Sequence, residues 1–221
     1  VAVLATTNVA VLSTLQIVGL TTAQAQALTT AQTLALGSEQ LIALETADLA
    51  AFATASLQSL DSAQIAYLLT SQIAALTTSQ VLGLSTNNIS GLSTIQIAAV
   101  RTLGVQALST VNVAALSTDQ IVALSTAQAA SLGTAQTAAL GTSQVLALET
   151  ADFAALATAA VQVLGTVQIA SLSTAQIVAM TTSQTLGLST DNISGLSSSQ
   201  VEALRTLGVL ALSTTNVAAL S

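Results

Sequence analysis

The stretch LSTAQIVA (residues 172–179) is one copy of an eight-residue unit that fills the whole chain. A large apolar residue recurs at every eighth position from 4 to 220, and 25 of these 28 positions are leucine. The exceptions are Phe52, Val100 and Met180, and no insertion breaks the register. Such strict repetition is typical of proteins in which one small structural element stacks on copies of itself. The chain is therefore predicted to be a solenoid.

The consensus L-S-T-x-Q-I/V-x-A carries the signals of a helix N-terminus. The residue after the leucine is Ser, Thr, Asp or Gly in 20 of 28 units, and Gln stands three residues later in 16 of 27. This spacing is that of a capping box, and the flanking leucine and Ile or Val occupy the positions of a hydrophobic staple. Each octad is predicted to form one helix of less than two turns, beginning at the threonine and ending near the next leucine.

A helical wheel separates the octad into two faces. The small residue, Gln, Leu and Ile/Val share an arc of roughly 160°, so we expect them to be buried and the small residue to allow close helix approach. We expect the glutamine to bond the cap N–H, and neighbouring glutamines could also bond one another. The variable sites, such as Leu15, Glu39, Asn87 and Asp119, are expected to be exposed.

Threonine or serine fills all 27 first helical positions, and 24 of these residues are threonine. This is more regular than capping requires. We therefore hypothesise that the hydroxyl bonds a free carbonyl at the end of the preceding helix.

These patterns predict an all-α solenoid, a superhelix of very short capped helices with one helix per octad. A β-solenoid with ladders of Thr and Gln side chains is the alternative, because β-branched residues favour strands. The abundance of Ala and Leu, the scarcity of Gly and Asn for corners, and the capping box favour helices. A single octad would not be stable alone, since isolated helices below about 12 residues are marginal in water.

A longer repeat is superimposed on the octads. Rare residues recur 104 positions apart, as Glu45 and Glu149 do, and this distance is thirteen octads. The chain is predicted to be one octad array over residues 1–221, with copies of roughly 1–104 and 105–208 and a partial third copy at 209–221.

The composition argues against catalysis and against several kinds of partner. The chain has no His, Cys or Lys, so no base is present to activate a hydroxyl, and we predict no enzyme, no catalytic residue and no cofactor. A net charge of −7 disfavours nucleic acid, and the apolar runs are too short to span a membrane. The expected partner is another copy of the chain, joined end to end or laterally.

Two pairs of acids are candidate cation ligands. Glu45 with Asp48, and Glu149 with Asp152, place carboxylates three residues apart, and oxygen ligands suit a hard cation. An acidic capping box at the positive end of the helix dipole explains the pairs more simply. We therefore predict no metal site, with these four residues as the ligands if a cation binds.

Two octads depart from the consensus at both capping positions. Arg101 and Arg205 occupy the cap site, and Gly104 and Gly208 replace the glutamine. These residues are interpreted either as bend or lateral docking points, or as tolerated defects of the repeat.

The octads resemble the LTTxQIAAL-type repeats of very large bacterial surface and secreted proteins of the repetitive-adhesin kind, and the resemblance covers all 221 residues. It implies a stalk, shaft or filament subunit located outside the cell or on its surface. The low surface charge also favours self-assembly. The alternative function is a binding module that presents rows of threonine to a repetitive surface such as ice or polysaccharide.

Overall fold

The computed structural model describes residues 1, 3–204, 212 and 214–219. These residues form 26 α-helices of five or six residues each, and no strand occurs among them. The all-α prediction is therefore confirmed, and in this part of the chain the β-solenoid alternative is wrong. The helices are α1 (Thr6–Ala10), α2 (Thr14–Val18), α3 (Thr22–Gln26), α4 (Thr30–Leu34), α5 (Ser38–Ala43), α6 (Thr46–Ala51), α7 (Thr54–Gln58), α8 (Ser62–Tyr67), α9 (Thr70–Ala75), α10 (Thr78–Leu82), α11 (Thr86–Gly91), α12 (Thr94–Ala99), α13 (Thr102–Ala107), α14 (Thr110–Ala114), α15 (Thr118–Val122), α16 (Thr126–Ala130), α17 (Thr134–Ala138), α18 (Thr142–Ala147), α19 (Thr150–Ala155), α20 (Thr158–Gln162), α21 (Thr166–Ala170), α22 (Thr174–Ala179), α23 (Thr182–Leu186), α24 (Thr190–Ser194), α25 (Ser198–Ala203) and α26 (Thr214–Ala218).

Helix α10 shows why one octad gives one helix. Its N-cap residue, Thr77, is extended, and its hydroxyl accepts a hydrogen bond from the backbone N–H of Gln80. The Gln80 Oε1 atom accepts in return from the Thr77 N–H at 2.9 Å, which completes the predicted capping box. The helix ends with a hydrogen bond of 3.2 Å from Leu84 N to Val81 O, three residues earlier. No described residue has a positive φ, so the links between these helices do not depend on glycine.

The helices belong to two compact units, Val1–Ala115 and Leu116–Ser221. In the first unit each helix packs on the helix 24 residues further along the chain, from α1 on α4 to α11 on α14. In the second unit α15 packs on α18 and the same spacing continues to α22 on α25, while α24 packs on α26, which also begins 24 residues later. Each unit is therefore an α-solenoid, and three consecutive helices form what we call a layer.

The two faces of the octad divide as the helical wheel predicted. Most leucine and Ile/Val positions are buried in both units, as Leu44 is in the first and Ile177 in the second, whereas Leu4 and Val217 are exposed. The glutamines from the second layer of the first unit onward are largely buried, whereas the variable residues named above are exposed. Burial of each aliphatic side chain contributes about 1.5–3 kcal/mol to the stability of the fold. This contribution stabilises helices that would be marginal as isolated octads.

The threonines at the first helical position behave differently from our hypothesis. Thr46, Thr70 and Thr94 are exposed, and within the described chain their hydroxyls donate no hydrogen bond to a carbonyl of the preceding helix. The expected role in closing the turn is therefore wrong for these residues. The backbone N–H of the following leucine-position residue closes α1–α13 and α15–α25 instead, as it does at Leu84.

None of the helices in the described part of the chain is long and apolar enough to cross a lipid bilayer.

Candidate functional site

The most regular chemical feature of the fold is the glutamine at the third helical position. In α9 the Oε1 atom of Gln72 accepts a hydrogen bond from the N–H of Leu69 at 2.7 Å. Its Nε2 atom donates to the carbonyl oxygens of Leu41 at 2.8 Å and Leu44 at 2.7 Å, which belong to the preceding layer. Gln72 is only 1% exposed. One amide therefore caps its own helix and fastens that helix to the layer before it.

The bond to the leucine-position carbonyl 28 residues earlier recurs along both units, and we call this series the inter-layer ladder. Asparagine and serine take part with shorter side chains, as Asn88 does through a 2.6 Å bond to Leu60. In the first unit the ladder joins Gln32 to Leu4, Gln40 to Leu12, Ser56 to Leu28, Gln64 to Leu36, Gln72 to Leu44, Gln80 to Phe52, Asn88 to Leu60, Gln96 to Leu68 and Asn112 to Leu84. In the second unit it joins Gln144 to Leu116, Gln168 to Leu140, Gln176 to Leu148, Gln184 to Leu156, Asn192 to Leu164, Gln200 to Leu172 and Asn216 to Leu188.

Sequence reasoning found only half of this arrangement. It predicted the bond from the glutamine to the cap N–H and offered bonds between glutamines as a further possibility. In the ladder the second half of each amide donates to main-chain carbonyls instead. The signal for this was the presence of Asn and Ser at several of these sites, because each of them keeps a side-chain hydrogen-bond donor.

Arg101 replaces the missing glutamine of α13. A Cβ atom at Gly104 would lie 2.9 Å from Val100 Cγ1 and 3.3 Å from Val81 Cγ2, so a longer side chain has no room there. The Nη2 atom of Arg101 donates instead to Leu76 O at 2.7 Å, and Leu76 is the residue 28 positions before Gly104. The arginine therefore supplies the ladder donor from the cap position.

This contact gives Arg101 a role within its own unit. Its interpretation as a bend or lateral docking point stays a prediction. Arg205 and Gly208, which we singled out with it, lie outside the described residues.

The acidic pairs do not form the capping boxes that we preferred for them. The Glu45 side chain accepts no cap hydrogen bond in α6, and neither does that of Glu149 in α19. The residues at the ladder position, Asp48 and Asp152, are each 2% exposed. The Oδ2 atom of Asp48 is buried without a hydrogen-bond partner. The acidic capping boxes are therefore a wrong prediction, and the buried aspartates need another explanation.

No cluster of three or more His, Cys, Asp or Glu side chains occurs in the part of the chain that the structure describes. Oxygen atoms for a cation would therefore have to come partly from the backbone. The described arrangement shows stacking and hydrogen bonding, and the repeat architecture is typical of structural rather than catalytic proteins.

The octad, the layers and the inter-layer ladder together define a tandem-repeat protein of the α-solenoid class. The family model of the ALTTAQ repeat matches residues 41–78, 97–134, 113–149 and 145–182, which together cover more than half of the chain. The chain belongs to the ALTTAQ repeat family. A comparison with curated proteins gives no match.

Proposed function

We propose that the chain is a structural segment, serving as the stalk, shaft or filament subunit of an extracellular or cell-surface assembly. The observation that carries this proposal is the inter-layer ladder. Most helices beyond the first layer donate a hydrogen bond to the layer before them, as Gln72 does to the carbonyl oxygens of Leu41 and Leu44. Successive layers of a unit are therefore joined by the same aliphatic packing and the same hydrogen bonds, which is the construction that a load-bearing segment needs.

The exposed surface supports self-association as the mode of assembly. Large apolar side chains stand at variable sites, with Leu15 83% exposed and Ile95 70% exposed. Charged residues make up only 5% of the chain, so few charges oppose contact between copies. Exposed apolar side chains with little surrounding charge favour association in water. The partner is accordingly a second copy of this chain.

Sedimentation velocity and negative-stain electron microscopy of the purified chain test the proposal together. We expect the sedimentation coefficient to rise with protein concentration and the micrographs to show elongated particles or filaments. A chain that stays monomeric and forms no elongated particle at any concentration would rule out the filament role.

A second candidate function rests on the exposed threonines. Thr46, Thr70 and Thr94 begin α6, α9 and α12, which pack in succession, so their side chains form a row with one threonine per layer. We propose as the alternative that such rows bind a repetitive surface such as ice or an insoluble polysaccharide. Thermal hysteresis and adsorption to the polysaccharide measure this directly, and their joint absence would eliminate the alternative.

We also propose that the 104-residue block is the unit of duplication, with copies at 1–104 and 105–208 and a partial copy at 209–221. Equivalent residues are alike in burial, since Asp48 and Asp152 are each 2% exposed. The array would then be extended by adding blocks, because each block is thirteen octads long and keeps the register.

A further inference from the structure

One position of the inter-layer ladder in the first unit carries an acidic side chain where its equivalents carry a hydrogen-bond donor. Asp48 occupies the third position of α6, and the carbonyl 28 residues before it belongs to Leu20. At the equivalent place in α14, Asn112 Nδ2 donates to Leu84 O at 2.8 Å. An ionised aspartate is a near copy of asparagine in shape, but its oxygens only accept hydrogen bonds. The buried Oδ2 atom of Asp48 accordingly has no partner.

The cap position of the same helix is one from which another octad bonds the equivalent carbonyl. In α13 the cap residue Arg101 bonds Leu76 O, which is 25 residues earlier in the chain. Glu45 is the cap residue of α6 and stands 25 residues after Leu20. The glutamate side chain is shorter than that of arginine. A cation bound between the carboxylate and the carbonyl would span the remaining gap, because it lies about 2.3–2.6 Å from each oxygen. The repeat therefore places both acids at positions from which other octads bond the equivalent carbonyl.

The backbone supplies further oxygen at this place. Gln72 donates both to the carbonyl 28 residues earlier and to the carbonyl 31 residues earlier. The carbonyl 31 residues before Asp48 is that of Ile17. Two carboxylates and two carbonyls form an environment of oxygen acceptors alone, and such ligands suit Ca²⁺, which takes 6–8 oxygens and completes its shell with water.

We propose that Glu45 and Asp48, with the main-chain carbonyl of Leu20, form a binding site for a hard divalent cation such as Ca²⁺. The second unit contains the equivalent set, Glu149 and Asp152 with the carbonyl of Leu124. A cation at each site replaces the hydrogen-bond donor that glutamine, asparagine or arginine provides elsewhere in the ladder.

Isothermal titration calorimetry of the full chain with CaCl₂, after removal of divalent ions by a chelator, tests the proposal. We expect two Ca²⁺ ions per chain, one after the single substitution Asp48→Asn and none after Asp48→Asn with Asp152→Asn. The double variant should fold without calcium, because asparagine restores the donor that Asn112 provides in α14. Its midpoint of thermal unfolding should no longer rise when Ca²⁺ is added, whereas that of the unchanged chain should.

A second variant distinguishes the loss of a calcium ligand from a folding defect. Glu45 and Glu149 are exposed and accept no cap hydrogen bond, so Glu45→Gln with Glu149→Gln should leave the fold intact and weaken Ca²⁺ binding at both sites. The proposal is overturned if the unchanged chain binds no Ca²⁺, or if the aspartate double variant binds as many ions as the unchanged chain. Unchanged affinity in the glutamate variant would equally overturn it. None of these results depends on whether the chain assembles into filaments.

Discussion

Gly91 lies directly against the main chain of Ser62 in the preceding layer. A Cβ atom built on Gly91 would meet the backbone O, Cα and C atoms of Ser62 at distances that real Cβ atoms do not show. Gly195 lies against the main chain of Thr166 in the same way. The expectation that the small residue before each leucine allows close approach is confirmed here. At these positions the contact requires the absence of a side chain.

We predict that Gly91→Ala lowers the free energy of unfolding by about 1–3 kcal/mol, because α11 and α8 must move apart to admit the methyl group. Chemical denaturation followed by far-UV circular dichroism measures the change. Gly19→Ala is the matched control, since Gly19 has the same octad position but its Cβ would meet only carbonyl oxygens of its own octad, those of Leu15 and Gln16. A loss at Gly19 equal to that at Gly91 would show that interlayer packing is not the cause.

Gln72→Ala should cost about 3 kcal/mol of unfolding free energy, because a cap N–H and two carbonyls lose a buried partner. Gln24→Ala provides the comparison. Gln24 accepts from the N–H of its cap residue, Thr21, as Gln72 does from that of Leu69, but Gln24 is exposed and belongs to the first layer of the unit. We expect a loss of no more than about 1 kcal/mol there. Similar losses for the two variants in the same denaturation experiment would contradict an inter-layer role for the amide.

Arg101→Ala should destabilise the chain by about 1–2 kcal/mol, since it removes the charged donor to Leu76 O and leaves that carbonyl without its partner. Glu39→Ala, at an exposed variable site, should leave the unfolding free energy within about 0.5 kcal/mol of its original value. If Arg101 served only as a lateral docking point, the monomer would keep its stability while association decreased. Denaturation and sedimentation of the same variant separate the two roles.

Replacing exposed apolar side chains should weaken association without affecting the fold. We predict that the combined variant Leu15→Ser, Ile95→Ser and Leu103→Ser shifts concentration-dependent sedimentation to higher protein concentration, because less apolar surface is removed from water when copies meet. The circular dichroism spectrum should not change. Asn87→Ser, at an exposed polar variable site, should leave association unchanged. If that substitution weakened association equally, the apolar side chains would not be the cause.

The octad alone was sufficient to predict the helices, their caps and the two faces. Leu, Ile and Val at fixed positions could be buried only on one side of a short helix, and Ser or Thr with Gln three residues later specifies where that helix begins. Local interactions determine these features, so a sequence of eight residues contains them. The close approach at Gly91 was predictable for the same reason, as a small residue at a buried position.

The number of octads per layer was decided only by the tertiary structure. Every octad presents the same pattern, so the sequence does not distinguish two, three or four helices per layer, and the packing of successive helices selects three. The partners of Gln72 and Arg101 depend on that choice, because they lie 25 to 31 residues away. The sequence therefore determined the helix and its buried face, whereas the stacking of layers determined which side chain meets which carbonyl and left the Oδ2 atom of Asp48 buried without a partner.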